Sequence, residues 1–262
     1  MIVNPGIYRA LATGVTILFL SCCDSKPPKA SPPTKEHTPT LREIPTDQLR
    51  TMLKGYPGDW RTDTDQSRGV PEPPREKEIP PDAVRIDLIP PSEFKAGAIP
   101  LRDVLATRRS RREFSSSPLS LEELSFLLWA TQGVTDRNID EAGETTQEFR
   151  TAPSAGGRLP LETNLAIHRV NGIKPGIYRY LPAHHQLLLI REDPDIPTKL
   201  TALCYGQKWV GDAAVVFLWS AVPYRTEWKY AYLSHRMIAM EAGHVCQNLY
   251  LAAESLGIGA SA

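Results

Sequence analysis

Proline is distributed very unevenly along this chain of 262 residues, and that distribution limits where a core can form. More than half of the 24 prolines lie between Lys26 and Pro100, among Lys, Glu, Asp, Thr and Ser. Proline pairs such as Pro27-Pro28 and Pro73-Pro74 favour an extended, solvated backbone and a semi-rigid spacer. A proline-rich ligand for another protein is the alternative interpretation. Two apolar stretches, Pro57–Trp60 and Val84–Pro91, are expected to lie as an arm across the surface of a folded domain.

The segment before the prolines is typical of an export signal. Ala10 to Cys23 is apolar, follows Arg9 and ends in small residues and cysteines. It is shorter than the roughly 20 apolar residues that a spanning helix needs. The run from Leu20 to Asp24 resembles a bacterial lipobox, which predicts lipidation at Cys22 or Cys23 and anchoring at the membrane of the cell envelope. An ordinary cleaved signal peptide is the alternative.

The remaining sequence has the composition of one globular domain. The whole chain is 41% hydrophobic and 23% charged, and its Lys+Arg and Asp+Glu totals are equal at 30. A formal net charge of zero gives no electrostatic attraction toward nucleic acid. The expected organisation is a signal with lipobox over residues 1–23, a spacer or N-terminal arm over 24–97, and a catalytic domain over 98–262.

Local patterns predict both helices and strands in that domain. Ser120 and Glu123 form a capping box for a helix that Gly133 would end in a left-handed conformation. Asp136–Gln147 is polar and is predicted as a surface loop. The other predicted elements are a short helix over Leu101–Thr107, an antiparallel meander over Thr163–Val170, Gly176–Leu181 and Gln186–Arg191, a buried central strand over Ala213–Ala221, and a long helix over Lys229–Leu256.

Four arginines and a serine follow the first helix. Arg108, Arg109, Ser110, Arg111 and Arg112 are consecutive. Guanidinium groups and a hydroxyl can satisfy phosphate oxygens through charge-assisted hydrogen bonds. The cluster therefore indicates a phosphate site, with a solvated basic turn as the structural alternative.

A small-residue loop is the second candidate for ligand binding. Its residues are Pro153, Ser154, Ala155, Gly156 and Gly157. Small side chains let a backbone approach a flat ligand closely, and Ser154 adds a hydroxyl. The pattern matches neither a phosphate-binding P-loop nor a dinucleotide fingerprint, so an ordinary loop is the alternative.

The order of these motifs resembles the nitroreductase-like superfamily, and more closely its SagB-type dehydrogenase branch. The motifs are the arginine-serine cluster, LSFLLWATQG, RTAPSAGGRLPLE, GIYRYLP and EAGHVCQNLYLAAESLGIG. The resemblance covers Ile99 to the last residue. It implies an α+β fold with a central mixed sheet flanked by helices, a homodimer, and FMN in each interface cleft.

The resemblance also implies roles for particular residues. Arg108, Arg109, Ser110 and Arg112 would contact the phosphate, ribityl chain and pyrimidine edge of FMN, and the loop from Pro153 to Gly157 would lie alongside the isoalloxazine ring. Lys229 and Tyr230 match a pair that lies near the flavin in azoline-oxidising members and is implicated in proton removal. A lysine that is simply solvated is the alternative for Lys229.

The expected activity is hydride transfer through flavin N5 between a reductant such as NAD(P)H and a small organic substrate. The family normally continues beyond the Leu256–Ala262 stretch, so a C-terminally short enzyme is also expected. The alternatives are a lipid-anchored module that keeps the fold without catalysis, and a peptide azoline dehydrogenase.

Histidines and cysteines give weaker signals. His235 and His244 are nine positions apart, which is a poor spacing for one metal, so no metal is expected. His244 is predicted to be a packed, hydrogen-bonded helix residue. Cys204 and Cys246 could form a disulfide in an exported domain or remain small buried hydrophobes.

Overall fold

The computed structural model describes the backbone of residues 14–20 and the whole of residues 63–262. The strands are β1 (Gly14–Leu20), β2 (Arg85–Asp87), β3 (Val134–Ile139), β4 (Thr145–Arg150), β5 (Leu161–Ile167), β6 (Gly176–Leu181), β7 (Gln186–Glu192), β8 (Val215–Ala221) and β9 (Gly259–Ser261). The helices are α1 (Leu101–Thr107), α2 (Leu121–Gln132), α3 (Ile196–Leu203), α4 (Lys208–Gly211), α5 (Tyr224–Tyr230) and α6 (Ser234–Ser255).

A seven-stranded sheet organises the domain, in the order β2-β7-β6-β5-β8-β1-β9. Strands β5, β6 and β7 form the predicted antiparallel meander. Strand β8 pairs antiparallel with β5 and parallel with β1, and its residues Val215, Val216 and Phe217 are fully buried. The prediction of an α+β fold with a mixed sheet and a buried central strand is therefore confirmed.

Strand β1 is formed by residues from the segment predicted to be an export signal. It lies between β8 and β9 and is parallel to both. Cys22 and Cys23, the predicted lipidation positions, lie outside the described residues, and so does Pro57–Trp60. Export therefore stays a prediction. In the part of the chain that the structure describes, no helix combines the length and apolarity that crossing a membrane would need.

Helix α2 begins at the predicted capping box. The Ser120 hydroxyl accepts a hydrogen bond from the Glu123 amide, and the Glu123 carboxylate accepts one from the Ser120 amide. Its predicted end is wrong in conformation, because Gly133 has a φ of −61°. Gly133 is instead required for space, since a Cβ atom there would lie 2.2 Å from Cδ1 of the Trp129 ring.

The predicted loop over Asp136–Gln147 is wrong, because its residues form the antiparallel hairpin of β3 and β4. Its turn is held by Asp140, whose carboxylate accepts hydrogen bonds from the amides of Ala142 and Glu144. Both faces of the hairpin are largely exposed. Without a buried face there is no alternation of polar and apolar residues from which a strand could be predicted.

The predicted single helix from Lys229 to Leu256 is also wrong, because it is two helices. Ala231 has φ 46° and ψ −129°, which ends α5 before α6 begins at Ser234. A non-glycine residue with positive φ is held there by surrounding structure, and an apolar periodicity cannot reveal such a break.

Residues 63–97 lie along the folded domain. Strand β2 pairs with β7 at one edge of the sheet. Leu88 is 6% exposed and packs in the same core as α2, α6 and the central strands. We use the name arm from here on only for residues 63–78, which lie within the N-terminal arm predicted over 24–97.

Candidate active site

The arginine-serine cluster lies between α1 and the C-terminal end of α6. Ser110 forms a bridge with Ala260 of β9, and the Arg111 amide donates a 2.9 Å hydrogen bond to the Ala260 carbonyl. The Ser110 hydroxyl is 3.3 Å from the phenol oxygen of Tyr250, which in turn accepts from the Ala262 amide at 2.7 Å. The backbone of the cluster is therefore fixed to β9 and α6.

The four guanidinium groups of the cluster differ in their partners. Arg111 forms an ion pair with buried Glu254 of α6. Arg108 lies over the Tyr250 ring at 5.3 Å, and Arg112 lies over the Trp209 ring at 5.5 Å. Arg109 is exposed and donates to the carbonyl of Arg108. Within the described residues, none of Arg108, Arg109 and Arg112 pairs with a carboxylate, so their charge remains available to an anionic ligand.

The small-residue loop has a defined shape. Ala155–Gly157 form a 3-10 turn in which Gly156 and Gly157 have φ values of 61° and 65°. The Ser154 hydroxyl donates to the Glu241 carboxylate at 2.7 Å and accepts from the Leu159 amide at 2.9 Å. Left-handed backbone at two consecutive positions favours glycine at both. Pro153 and Gly156 are exposed at the tip of this loop.

Lys229 and Tyr230 lie directly against that loop. A Cβ atom at Gly156 would be 2.5 Å from the Tyr230 phenol oxygen and 3.0 Å from Cδ of Lys229. The Lys229 ammonium nitrogen is 5.8 Å from the centre of the Tyr230 ring. Burial raises the pKa of Tyr230, although the charge of Arg158 opposes the shift. The structure thus places the predicted lysine-tyrosine pair beside the predicted ring platform.

Glu241 of α6 is a site residue that sequence reasoning missed. It is 4% exposed, and burial raises its pKa to about 7 despite the Ser154 hydroxyl, the charge of Arg150 and the Ala155 amide. One acidic residue on a predicted helix has no distinguishing spacing. The available signal is its position on the apolar face with Val245 and Leu249, where an acidic side chain needs a hydrogen-bonding partner.

Comparison with protein families identifies the fold that holds these groups. The sequence profile of the nitroreductase family matches residues 105–262, which contain the arginine cluster, the loop and the lysine-tyrosine pair. The chain belongs to the nitroreductase family. It is accordingly an oxidoreductase by family, and residues 63–104, which include the arm, precede the matched region.

Similar proteins carry the same family name. A predicted nitroreductase of Methanocaldococcus jannaschii is 42% identical over 161 residues, covering 62% of this chain and 76% of that protein. The crystal structure of a predicted nitroreductase from Ralstonia eutropha has a TM-score of 0.50 and 33% identity, covering 71% of this chain and 80% of that one. A predicted nitroreductase from Anabaena variabilis has a TM-score of 0.54 and 27% identity over 68% of this chain, which spans only 35% of the Anabaena chain.

The two groups of site residues lie at different positions along α6 of this nitroreductase-family chain. The arginine cluster contacts Tyr250, and the small-residue loop contacts Glu241. Nine residues of α-helix separate these two contacts by roughly 13 Å at 1.5 Å per residue. The structure therefore brings Lys229 and Tyr230 to the loop, but it does not join the arginine cluster to them in one contiguous group.

The structure also bears on the predictions for His244 and for the two cysteines of the domain. The prediction for His244 is wrong, because its side chain is exposed while Glu241, Val245 and Leu249 form the buried stripe of α6. Cys204 and Cys246 are free thiols, so they are not joined in a disulfide. Within residues 63–262, no three His, Cys, Asp or Glu side chains are grouped as metal ligands would be.

Proposed function

We propose that this protein is an FMN-dependent oxidoreductase in which Arg108, Arg109, Ser110 and Arg112 hold the phosphate, ribityl chain and pyrimidine edge of FMN. The observation that carries this proposal is the set of guanidinium groups without carboxylate partners, among the described residues, beside the Ser110 hydroxyl. This donor set fits a phosphate and a polar ring edge. When bound, FMN supplies hydride transfer at N5 between a reductant such as NAD(P)H and a small organic substrate.

The loop from Pro153 to Gly157 provides the surface for the flat ring system. Its small side chains permit close backbone approach, and Glu241 fixes it from behind through Ser154. Lys229 and Tyr230 would hold or move the substrate proton, because both lie against Gly156. The raised pKa of Tyr230 keeps its phenol protonated, so that it can donate a hydrogen bond.

A homodimer would reconcile the separation of the two groups. In a homodimer, each site could combine the arginine cluster of one chain with the small-residue loop of the other. The roughly 13 Å that lies between the two contacts on α6 within one chain would then set no distance between the cluster and the loop in the site. Exposed apolar side chains on α1 and α6, namely Leu101, Leu105 and Met240, support such an interface. Sedimentation analysis of the full chain and of Met240→Asp tests this, because a monomeric wild type would contradict the homodimer and a dimeric Met240→Asp would contradict an interface at Met240.

Lipid anchoring at Cys22 or Cys23 is proposed from the sequence alone. It would place the domain at the bacterial cell envelope, on the periplasmic or outer face. Mass spectrometry of the mature N-terminus decides the matter, because an unmodified, uncleaved Met1 would contradict both export and lipidation.

The full chain, purified in detergent, tests the cofactor proposal directly. We expect a flavin absorption spectrum after FMN is added and free ligand is removed, with bleaching under NAD(P)H or dithionite. Arg108→Ala should weaken FMN binding by about tenfold or more, which is the loss of one charge-assisted contact. Arg102→Ala is the matched control, because Arg102 is an exposed arginine on α1 that pairs with its neighbour Asp103. A folded wild-type chain that binds no FMN would instead support the non-catalytic alternative.

Azoline dehydrogenation in a peptide is a second candidate activity. The contact of Lys229 and Tyr230 with the loop favours it, because removal of a carbon-bound proton needs a base beside the ring platform. Lys229→Met should then abolish oxidation of a heterocyclised peptide while the bound flavin is still reduced by dithionite. Equal turnover of the peptide by wild type and variant would reject this candidate.

A further inference from the structure

Helix α5 carries Lys229 and Tyr230 in its last turn, yet it has little stability of its own. It contains seven residues and ends at Ala231, whose φ is 46°. Helices shorter than about 12 residues are marginal without tertiary contacts, and positive φ at alanine costs about 1 kcal/mol or more. The position of Lys229 and Tyr230 therefore depends on what holds α5 in place.

The arm supplies many of the polar contacts of α5. Four hydrogen bonds join the two segments: Tyr224 Oη to Asp65 Oδ2 at 2.9 Å, the Gln66 amide to the Trp228 carbonyl at 2.9 Å, Trp228 Nε1 to the Val70 carbonyl at 2.7 Å, and Arg225 Nε to the Pro74 carbonyl at 2.9 Å. They are spread over the whole helix, so the arm defines both its position and its rotation.

Arg158 connects the arm to the small-residue loop as well. This arginine directly follows Gly157, and its side chain is 4% exposed. Nη1 pairs with the Glu72 carboxylate at 2.8 Å, Nε donates to the Arg225 carbonyl at 3.0 Å, and the guanidinium lies over the Trp228 ring at 4.7 Å. One side chain thus contacts the arm and α5 from the end of the loop.

Glu72 is the carboxylate that compensates this buried charge within the described residues. Burial raises its pKa, but hydrogen bonds and charge from Arg158 and Arg75 outweigh that effect, so the pKa of Glu72 is lowered. A buried guanidinium that loses its carboxylate partner has a strong tendency to move toward water. Such a movement of Arg158 would withdraw it from Trp228 and disturb the last turn of α5.

We propose that residues 65–74 of the arm are a functional part of the active site, and that Glu72 is a positioning residue that acts through Arg158 to hold Lys229 and Tyr230 against Gly156. The proposal rests on the proposed function for its effect on turnover. Its structural half, the dependence of α5 on Glu72, can be tested without FMN.

Two matched variants of the full chain separate positioning from general packing. Glu72→Gln removes the charge facing Arg158, while Glu78→Gln makes the same change six residues further along, where the side chain is exposed and only the backbone carbonyl contacts Arg179. Both changes lie on the surface and should leave the protein folded. Hydrogen exchange followed by mass spectrometry should show faster exchange of residues 224–233 in Glu72→Gln than in wild type or Glu78→Gln.

Turnover provides the second readout. We expect kcat of Glu72→Gln to fall about ten- to hundredfold with bound FMN content unchanged, as for a small misplacement of a reacting group. Glu78→Gln should match wild type. In a Lys229→Met background, Glu72→Gln should cause no further loss, because its effect passes through α5. A structural defect unrelated to Lys229 would lower turnover in both backgrounds.

Each outcome decides one of the two proposals. Equal exchange of residues 224–233 in the two glutamine variants overturns the positioning role of Glu72, whether or not FMN binds. An additive loss in the Lys229→Met background overturns it as well. A wild-type chain without FMN overturns the proposed function, while the exchange comparison still decides whether the arm holds α5.

Discussion

Two groups of arginines in this chain have opposite environments. Arg150, Arg158, Arg179 and Arg225 have buried side chains, and each of them contacts residues 72–78 of the arm. The contacts are Arg150 with Glu76, Arg158 with Glu72, Arg179 with the carbonyls of Lys77 and Glu78, and Arg225 with the Pro74 carbonyl. Arg108, Arg109 and Arg112, in contrast, contact aromatic rings or backbone and pair with no carboxylate in the described residues.

The difference shows that one residue type has two physical roles here. A buried guanidinium must be compensated, so removing it leaves its former partners unsatisfied and destabilises the fold. A partly exposed guanidinium without a counter-ion is solvated, and its removal costs the fold little while a bound anion loses a contact. Substitution of the buried arginines should therefore lower stability, whereas substitution of Arg108, Arg109 or Arg112 should lower the affinity for an anionic ligand.

Arg225→Met should produce the largest loss of stability. Arg225 is 3% exposed and donates to Glu162, which is 7% exposed, and to the Leu159 and Pro74 carbonyls. Leaving Glu162 buried without its ion-pair partner, with only the Lys77 amide still donating to it, should lower the free energy of unfolding by about 3–5 kcal/mol in urea titrations. Arg191→Met removes an exposed arginine whose partner Asp193 keeps Lys199, so it should cost below about 1 kcal/mol. Equal losses of unfolding free energy in Arg225→Met and Arg191→Met would contradict the distinction between buried and exposed arginines.

Glu241 extends the comparison to carboxylates, because it is buried without an ion-pair partner among the described residues. Its folded pKa of about 7 lies above the 4.5 of an unperturbed glutamate. Folding thus favours the protonated form of Glu241. The contribution of this form to the free energy of unfolding is fully present below about pH 4.5 and is lost as pH rises through about 7. Relative to Glu241→Gln, wild type should lose about 2–3 kcal/mol of unfolding free energy between about pH 5 and pH 8.

Urea titrations at both pH values measure this difference. Glu192→Gln is the matched control, since it makes the same substitution at a half-exposed glutamate that pairs with Lys174. A pH-independent difference between wild type and Glu241→Gln would place the pKa of Glu241 outside this range.

Short-range patterns explain which parts of the fold were predictable. Ser120 and Glu123 are three residues apart, so a local sequence pattern is sufficient to predict the start of the helix. The meander follows from apolar strands separated by short turns, and β8 from a continuous apolar run. The hairpin of β3 and β4 lacks a buried face, and the break at Ala231 depends on packing, so neither has a local signature.

The contacts of the arm could not be predicted for a related reason. Its contacts join residues far apart in sequence, such as Arg225 and Pro74, which are 151 positions apart. Proline content favours an extended chain, but it does not indicate where an extended chain packs. The candidate site residues were named from motifs in the sequence, whereas Glu241 and Arg158 become recognisable only through their burial and partners.

Arg109→Ala should have the smallest effect on stability and thereby sharpens the comparison with Arg225. Arg109 is exposed and its guanidinium bonds only to the adjacent Arg108 carbonyl in the described structure, so the unfolding free energy should change by less than about 0.5 kcal/mol. If its charge serves the cofactor, the Kd for FMN should rise about three- to tenfold, and the increase should shrink at high salt because exposed charges are screened. Isothermal titration in low and high salt measures both effects. A destabilised Arg109→Ala protein with wild-type FMN affinity would assign Arg109 to the same structural role as the buried arginines.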